Sequence, residues 1–389
     1  MVRAPFAARR SPLSLRRDKP FSNLACQTRG GPTTRSFTVI RSIPTRAIFI
    51  LAVPVAASAQ TEHRTLSGDR VAIYNLAGHL RIQAAGGGDI TVDVTRGGRD
   101  ASQLNIATGP IRGAQTLRVL YPSDRIIYSE LRYRTRTQIR VDEDGTFDDN
   151  SSNRGWFGRG SVEIRDSGSG ADAHADMVIG VPKGQRVVVH WGVGDATVTN
   201  VDGDIRLSVA SATVNTEHTR GSLSLDTGSG GVTVTDAEGS VNLDTGSGGL
   251  TLTGVHGDEL NLDTGSGSVR GGDIDVKTLK ADVGSGGLRL THVKAPRVDA
   301  DVGSGGLELD LTAPVTDLHV ESGSGGVTLR LPAAQGAELD VDTGSGGVES
   351  DFAIQTNRVS RNHVRGKIGD GSGRIRIDAG SGHVRLIKN

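Results

Sequence analysis

The chain has 389 residues, with 44 basic and 44 acidic residues and only 3% aromatic residues. This balance hides a division, since residues 1–59 carry ten Lys or Arg and one acid, whereas the remainder carries 34 basic and 43 acidic residues. An acidic main part without a basic stripe argues against a nucleic acid partner. The one cysteine, Cys26, lies within the basic first segment, so the rest of the chain needs no disulfide.

Residues 1–59 are predicted to be a leader that ends in a secretory signal peptide. A basic segment precedes the apolar run 47–57, which is shorter than the roughly 20 residues of a membrane span. Ala57-Ser58-Ala59 is a small-x-small cleavage site, so we expect Gln60 to be the mature N-terminus and Val39 to be the true start. The prediction is an exported protein of the periplasm, the outer envelope or the extracellular space, without a membrane span after cleavage; an anchor is the alternative.

Residues 60–185 alternate apolar and polar positions in short runs without a strict period, which is typical of β-strands. They are predicted to form either a small β-sandwich or irregular first coils that cap the repeats after them. Between residues 142 and 170 the composition becomes acidic and then rich in Gly, Asn and aromatic residues, which predicts a long surface loop.

This loop carries a candidate binding site. Trp156 and Phe157 lie between Arg154 and Arg159 in a chain that has few aromatic residues. Aromatic and Arg side chains on a loop are typical contact groups for a sugar or a protein partner. The alternative is that they fold back as a lid.

The same loop carries a candidate metal site. Asp142, Asp144 and Asp148 place carboxylates around Gly145, loosely like a calcium-binding loop. The twelve-residue spacing and the closing Glu of such a loop are absent, so a solvated acidic loop is the alternative.

From residue 186 the chain consists of a recurring sequence repeat. Each period holds two alternating runs, such as 241–243 and 250–252, and a Gly-Ser-Gly corner between them. A period of about 20 residues predicts a solenoid, whose coils bury their apolar faces against each other. The first Gly of each corner recurs at nearly equal steps that lengthen slightly along the chain, at Gly228, Gly246, Gly265, Gly284, Gly303, Gly323 and Gly344.

We therefore predict an all-β protein: a parallel β-solenoid, or flattened β-helix, with about 19 residues per coil over residues 186–389, preceded by the irregular β cap. An antiparallel meander with Gly-Ser-Gly hairpins is the alternative, although such hairpins usually tighten to two residues. After Gly347 the period breaks and then resumes at Gly371 and Gly380. Arg and Lys in the final strand, 383–389, are predicted to protect the open end.

Each corner also carries an acid, and in-register stacking would place these acids in a column with spacings of about 5 Å. We predict that each carboxylate accepts the backbone N–H groups of its own corner, and structural calcium along the column is the alternative. Asp-Thr-Gly is also the triplet of aspartic proteases, but its recurrence in successive coils indicates a structural role. The His residues show no metal-site spacing. The corner acids are Asp226, Asp244, Asp263, Asp282, Asp301, Glu321 and Asp342.

The run 181–184, the serial Gly-Ser-Gly-Gly corners and the closing segment 367–377 resemble the bacterial putative-adhesin β-solenoid family of the Gly-Ser-Gly-Gly repeat type, a domain of unknown function. The resemblance covers most of residues 70–389. It implies an exported or envelope-associated protein, and it supplies no catalytic residues.

The predicted function is that of a non-enzymatic, adhesin-like or envelope scaffold protein. It would bind a surface, a glycan or a protein through a flat polar face or through the Trp156 loop, with no cofactor beyond structural calcium. The alternatives are a glycan-active β-helix lyase or hydrolase and a purely structural component of envelope assembly. Such an enzyme clusters its acids on one sheet, and no pair of acids stands out here from the repeat.

Overall fold

The computed structural model describes residues 61–131, 136–148, 159–360 and 362–389, except for the side chains of residues 159, 357 and 359. All of them belong to one compact unit, Ala57–Asn389. They form 29 strands and one short 3-10 turn, Ala101–Gln103, and this part of the chain holds no α-helix. The prediction of an all-β protein is confirmed. No helix of the described part is long and apolar enough to cross a membrane.

The strands before the repeats are β1 (Thr61–Leu66), β2 (Val71–Ala77), β3 (Leu80–Ala85), β4 (Ile90–Gly97), β5 (Asn105–Ile111), β6 (Ala114–Leu120), β7 (Arg125–Ile127), β8 (Arg136–Asp142), β9 (Arg159–Arg165), β10 (Ala171–Asp172) and β11 (His174–Pro182).

The strands of the repeats are β12 (Arg186–Val193), β13 (Ala196–Thr199), β14 (Asp204–Ser211), β15 (Val214–Thr227), β16 (Val232–Thr245), β17 (Leu250–Thr264), β18 (Val269–Val283), β19 (Leu288–Lys294), β20 (Arg297–Val302), β21 (Leu307–Leu311), β22 (Asp317–Ser322), β23 (Val327–Leu331), β24 (Ala337–Thr343), β25 (Val348–Ser350), β26 (Gln355–Val359), β27 (His363–Ile368), β28 (Gly373–Ala379) and β29 (Val384–Lys388).

Twenty-five strands form one long, mostly parallel sheet with two series of paired strands. Ladder A runs β5-β6-β2-β12-β14-β15-β16-β17-β18-β20-β22-β28-β24-β27-β26. Ladder B runs β1-β4-β11-β3-β13-β15-β16-β17-β18-β19-β21-β23-β29-β25. The long strands β15 to β18 belong to both ladders, because each bends from one to the other.

The alternating residues of the repeat set the inside and outside of the coils. Leu223, Val241 and Leu260 are register partners on ladder A, and all three are buried in one continuous apolar core. Between the ladders, one residue in each of six successive coils adopts the left-handed conformation, with φ between 51° and 68°. Asn, Asp and Gly tolerate this conformation best, which fits most members of the series. The series is Asn200, His218, Asp236, Gly254, Asp273 and His292.

The Gly-Ser-Gly corners stack backbone on backbone. A Cβ atom on the second Gly of a corner, such as Gly305, would overlap with the carbonyl oxygen of the equivalent Gly286 one coil below. The following Gly306 has space, since the nearest atom to an added Cβ would lie 3.8 Å away. Steric exclusion therefore explains the second Gly, and Ser268 shows that the third position accepts a side chain.

Both ends of the sheet depart from sequence order. At the N-terminal end, β2 and β3 lie between β6 and β11 on one side and β12 and β13 on the other. At the C-terminal end, β28 and β29 insert between β22 and β23 on one side and β24 and β25 on the other. The prediction that the final strand covers the open end is therefore wrong. The outermost strands there are β25 and the antiparallel hairpin of β26 and β27.

A second, four-stranded sheet of β7, β8, β9 and β10 packs on the outer face of ladder A. It buries Ile126, Ile139 and Ile164 against Tyr74 and Leu76 of β2. Strand β2 is consequently buried on both faces. The predicted loop 142–170 contains strand β9, so it is wrong for residues 159–165, whose alternating Val162 and Ile164 fit a strand.

Candidate functional site

A cleft of about 670 Å³ opens between the second sheet and the outer face of ladder A. One wall is formed by β8 and the turn after it, which contribute Gln138, Arg140, Phe147 and Asp148. The other wall is formed by outward-facing residues of β12, β14 and β15. The cleft exists because β8 crosses the solenoid where its first coils stack.

Four residues of neighbouring strands line up on the solenoid side. Tyr74, His190, Ser208 and Asp226 are register partners on β2, β12, β14 and β15. The His190 ring stacks on Tyr74, with 4.7 Å between ring centroids and an angle of 5°. Phe147 approaches His190 edge-on at 6.2 Å, so the imidazole is buried between two aromatic rings.

Asp148 joins the two walls of the cleft. Its Oδ2 atom accepts a hydrogen bond from the Ser208 hydroxyl and lies 3.7 Å from His190 Nδ1. The nearby His190 side chain and the hydrogen bond from Ser208, with the positive charge of Arg206, lower the pKa of Asp148. This carboxylate is therefore held in its ionised form.

Asp226, at the other end of the cleft, has the opposite shift. Partial burial raises its pKa, and the neighbouring carboxylates of Asp244 and Asp148 add to the increase. The cleft thus combines an acid that ionises readily with an acid that retains its proton to higher pH.

Two exposed arginines complete the lining. Arg140 faces the cleft from β8, and Arg206 faces it from β14. With Gln138 they supply hydrogen-bond donors, while Asp148 and Asp226 supply acceptors and Phe147 an apolar surface. A small number of polar groups beside an apolar wall is typical of a site for a polar small ligand.

The loop residues predicted as contact groups are linked to this cleft by the chain. Residues 149–158, which carry Arg154, Trp156 and Phe157, connect Asp148 to β9 and lie outside the described residues. Arg159 begins β9, where its backbone is opposite Asp142 in the β8–β9 pair. The binding role of these four residues stays a prediction.

The three acids predicted as calcium ligands have separate partners. Asp142 pairs with Arg112, whose guanidinium nitrogen lies 3.2 Å from Oδ2. Asp144 Oδ1 accepts hydrogen bonds from the backbone and the hydroxyl of Thr146 at 3.0 and 2.7 Å. Asp148 binds Ser208 instead, so the structure does not bring the three carboxylates together.

The corner acids do stack in register along ladder A, but they point outward and are exposed. Partial desolvation within the stack and the neighbouring carboxylates nevertheless raise the pKa of Asp263 and of Asp301. In two corners the threonine that follows the corner acid caps the turn: Thr245 Oγ1 accepts from the Gly248 N–H at 3.1 Å and Thr264 Oγ1 from the Gly267 N–H at 3.0 Å. None of the described hydrogen bonds joins a corner acid to the N–H groups of its own corner, and in these two corners a buried Thr takes the role that was predicted for the acid.

The column of register positions that holds the corner acids includes more residues than the sequence indicated. In the structure Glu321 is followed by Asp378 and only then by Asp342, because the C-terminal coil is inserted between them. At the other end the column passes from Asp226 to Ser208 and then to His190, each one repeat period earlier in the chain. That spacing was a usable sequence signal for the site residues that our prediction missed.

Comparisons with known proteins identify the family of the chain. A solved structure described as a putative cell adhesion protein from Clostridium sporogenes aligns with 85% of this chain and 99% of that chain, with 10% identity and a TM-score of 0.21. No curated protein matches the chain. The family model described as Toastrack DUF4097 matches residues 128–386. Since this match covers well over half of its residues, the chain belongs to the Toastrack DUF4097 family, a family of domains of unknown function.

Proposed function

We propose that the protein is a non-enzymatic, exported binding protein of the adhesin-like type, and that it holds a glycan in the cleft between β8 and ladder A. The observation that carries this proposal is the lining of the cleft, where Arg140, Arg206 and Gln138 offer donors beside the Phe147 ring. Sugars present hydroxyl groups around an apolar ring face, and a site with both kinds of group matches them.

The loop that carries Trp156 and Phe157 supports the same assignment. It leaves the cleft wall at Asp148 and returns to the described chain at β9, so both ends of a ten-residue segment are anchored beside the cleft. Two aromatic side chains on such a segment would add stacking surface for a bound sugar. The site would then combine a rigid floor on the solenoid with contact groups on the loop.

A glycan array probed with the purified protein tests this proposal. We expect binding to a restricted set of glycans, with a loss of at least ten-fold in affinity for Arg206→Ala and for the double variant Trp156→Ala/Phe157→Ala. Arg270→Ala is the matched control, because Arg270 is an exposed Arg on ladder B, away from the cleft lining. Equal weakening by Arg270→Ala, or no glycan bound at all, would argue against the cleft as the binding site.

One observation favours a second function, that of a glycan-cleaving enzyme. Asp148 and Asp226 line the same cleft and have opposite pKa shifts, as do the acid and the base of glycoside hydrolases. In that case Asp226 would donate a proton to the leaving oxygen and Asp148 would act as base or nucleophile. Release of shortened sugars from a bound glycan, abolished by Asp226→Asn, would replace the binding assignment with this one.

A further inference from the structure

We infer that His319, Glu321 and Asp378 form a binding site for a divalent transition-metal ion such as Zn²⁺ on the outer face of ladder A. His319 Nε2 lies 3.4 Å from Glu321 Oε1 and 3.9 Å from Asp378 Oδ2. One ligand atom from each of the three residues lies within 4.8 Å of the other two. An ion can therefore contact all three after small side-chain rotations.

The imidazole is held in the orientation that metal binding requires. Asp299 Oδ1 lies 3.3 Å from His319 Nδ1, on the opposite side of the ring from the two carboxylates. A proton on Nδ1 leaves the lone pair of Nε2 directed towards Glu321 and Asp378. A carboxylate that fixes the second nitrogen of a His ligand in this way is a usual companion of zinc sites.

The Asp378 carboxylate is also held in place. Arg376 Nε donates to Asp378 Oδ2 at 2.9 Å, and Arg376 lies two residues before Asp378 on the same face of β28. Carboxylate ligands of metal sites are commonly hydrogen-bonded by such neighbours. His319 and Asp378 are partly exposed and Glu321 is exposed, so an ion reaches the site from solvent and keeps open positions for water or a ligand.

The inserted C-terminal coil creates this group of residues. If the coils stacked in sequence order, Glu321 would face Asp342, whereas β28 places Asp378 beside it. A bound ion would therefore join β22 to β28, two strands that are separated along the chain by the five strands between them.

Nitrogen and carboxylate ligands together favour zinc-like ions over calcium or magnesium, which prefer oxygen ligands alone. This site lies several coils away from the cleft described above and does not depend on the proposed glycan binding.

Isothermal titration of the purified protein with ZnCl₂ tests the inference. We expect one Zn²⁺ per chain and an upward shift of the thermal unfolding midpoint when Zn²⁺ is added, because the ion binds the folded state. His319→Ala is expected to abolish both effects and to leave the midpoint without metal unchanged. Asp299→Asn is expected to weaken binding about ten-fold, since it removes only the group that orients the imidazole.

His363→Ala is the matched control. His363 also contacts two carboxylates, but with different nitrogens: Nδ1 with Asp342 at 3.2 Å and Nε2 with Asp340 at 3.5 Å. No nitrogen of His363 is shared between two carboxylates in these contacts, so its removal should leave Zn²⁺ affinity unchanged. Absence of Zn²⁺ binding by the unmodified protein, or equal affinity after His319→Ala, would overturn the assignment and leave the group as a surface ion-pair network.

Discussion

The middle coils and the two ends of this protein are built from the same repeat but assembled differently. From β14 to β21 each strand pairs with the strand one period later, so spatial order follows sequence order. At each end, one coil is inserted between two others. In a sequence-ordered solenoid the terminal coil would be exposed and easily lost. Here the coils that contain β2 and β29 are paired on both sides, and further strands cover them.

Removal of the C-terminal coil is expected to have the largest effect. A chain that ends at Ser372 lacks β28 and β29, so β22 and β23 lose one partner each and β25 loses the only one described for it. The buried residues that it removes include Ile375, Ile377 and Leu386, at about 2–3 kcal/mol each. We expect residues 323–372 to become rapidly cleaved in limited proteolysis, while residues 214–302 stay protected. Continued protection of residues 337–350 would contradict the inserted position of the coil.

A single methyl group in a corner of the middle coils is expected to have the next largest effect. Gly305→Ala places a Cβ atom on the carbonyl oxygen of Gly286, and the backbone must shift to relieve the overlap. We expect a loss of about 3 kcal/mol in the free energy of unfolding, measured by chemical denaturation. Gly306→Ala, one residue later, should change it by less than about 0.5 kcal/mol. Similar losses in both variants would show that chain flexibility, and not backbone stacking, selects Gly here.

The junction next to the inserted coil depends on one buried amide side chain. Gln335 accepts from the Val315 N–H at 2.8 Å and donates to the carbonyl oxygens of Val315 and Gly336 at 3.1 and 2.8 Å. The Gln335 amide thereby takes the place of backbone hydrogen bonds at the junction where the coils depart from sequence order. Gln335→Ala is expected to cost about 2 kcal/mol, because buried backbone groups lose their partners. Gln355→Ala, at an exposed position of β26, is the control and should be nearly neutral in the same denaturation experiment.

The stacked corner acids are expected to give the smallest effect. The raised pKa of Asp263 means that its ionised form is disfavoured in the folded protein, so this carboxylate lowers stability above its folded-state pKa. The cost disappears as the pH falls through that pKa and the group becomes protonated. Asp263→Asn should therefore raise stability at pH 7 by less than about 0.5 kcal/mol, since the group is exposed, and by nothing near pH 3. A gain that persists at low pH or in high salt would exclude charge repulsion as its cause.

The contrast between the middle coils and the two ends also explains which features could be predicted from the sequence. The alternation of residues such as Val241 and Leu243 identified the strands and their buried faces in the middle coils, because each coil there meets its successor. The places in the stack of the strands that carry Ile375 and Val384 were not predictable in this way. A coil with the same Gly-Ser-Gly corner can pair with any other coil. The cleft depended on Asp148 reaching Ser208, a contact between the turn after β8 and the repeat that no periodicity encodes. Among the site residues that our prediction missed, His190 and Ser208 carried a signal, because they precede Asp226 by two periods and one period of the repeat.

Cysteine cross-linking tests the coil order most directly. Because Cys26 is the only natural cysteine, the variants Thr328→Cys/Arg385→Cys and Thr328→Cys/Glu349→Cys each need only one further change, Cys26→Ser. In the structure Thr328 and Arg385 are register partners, and Glu349 lies one strand beyond Arg385. Neighbouring strands are about 4.8 Å apart, within disulfide range, whereas two strand spacings exceed it. We predict a disulfide in the first variant and none in the second; the reverse result would show that the coils stack in sequence order and would contradict this structure.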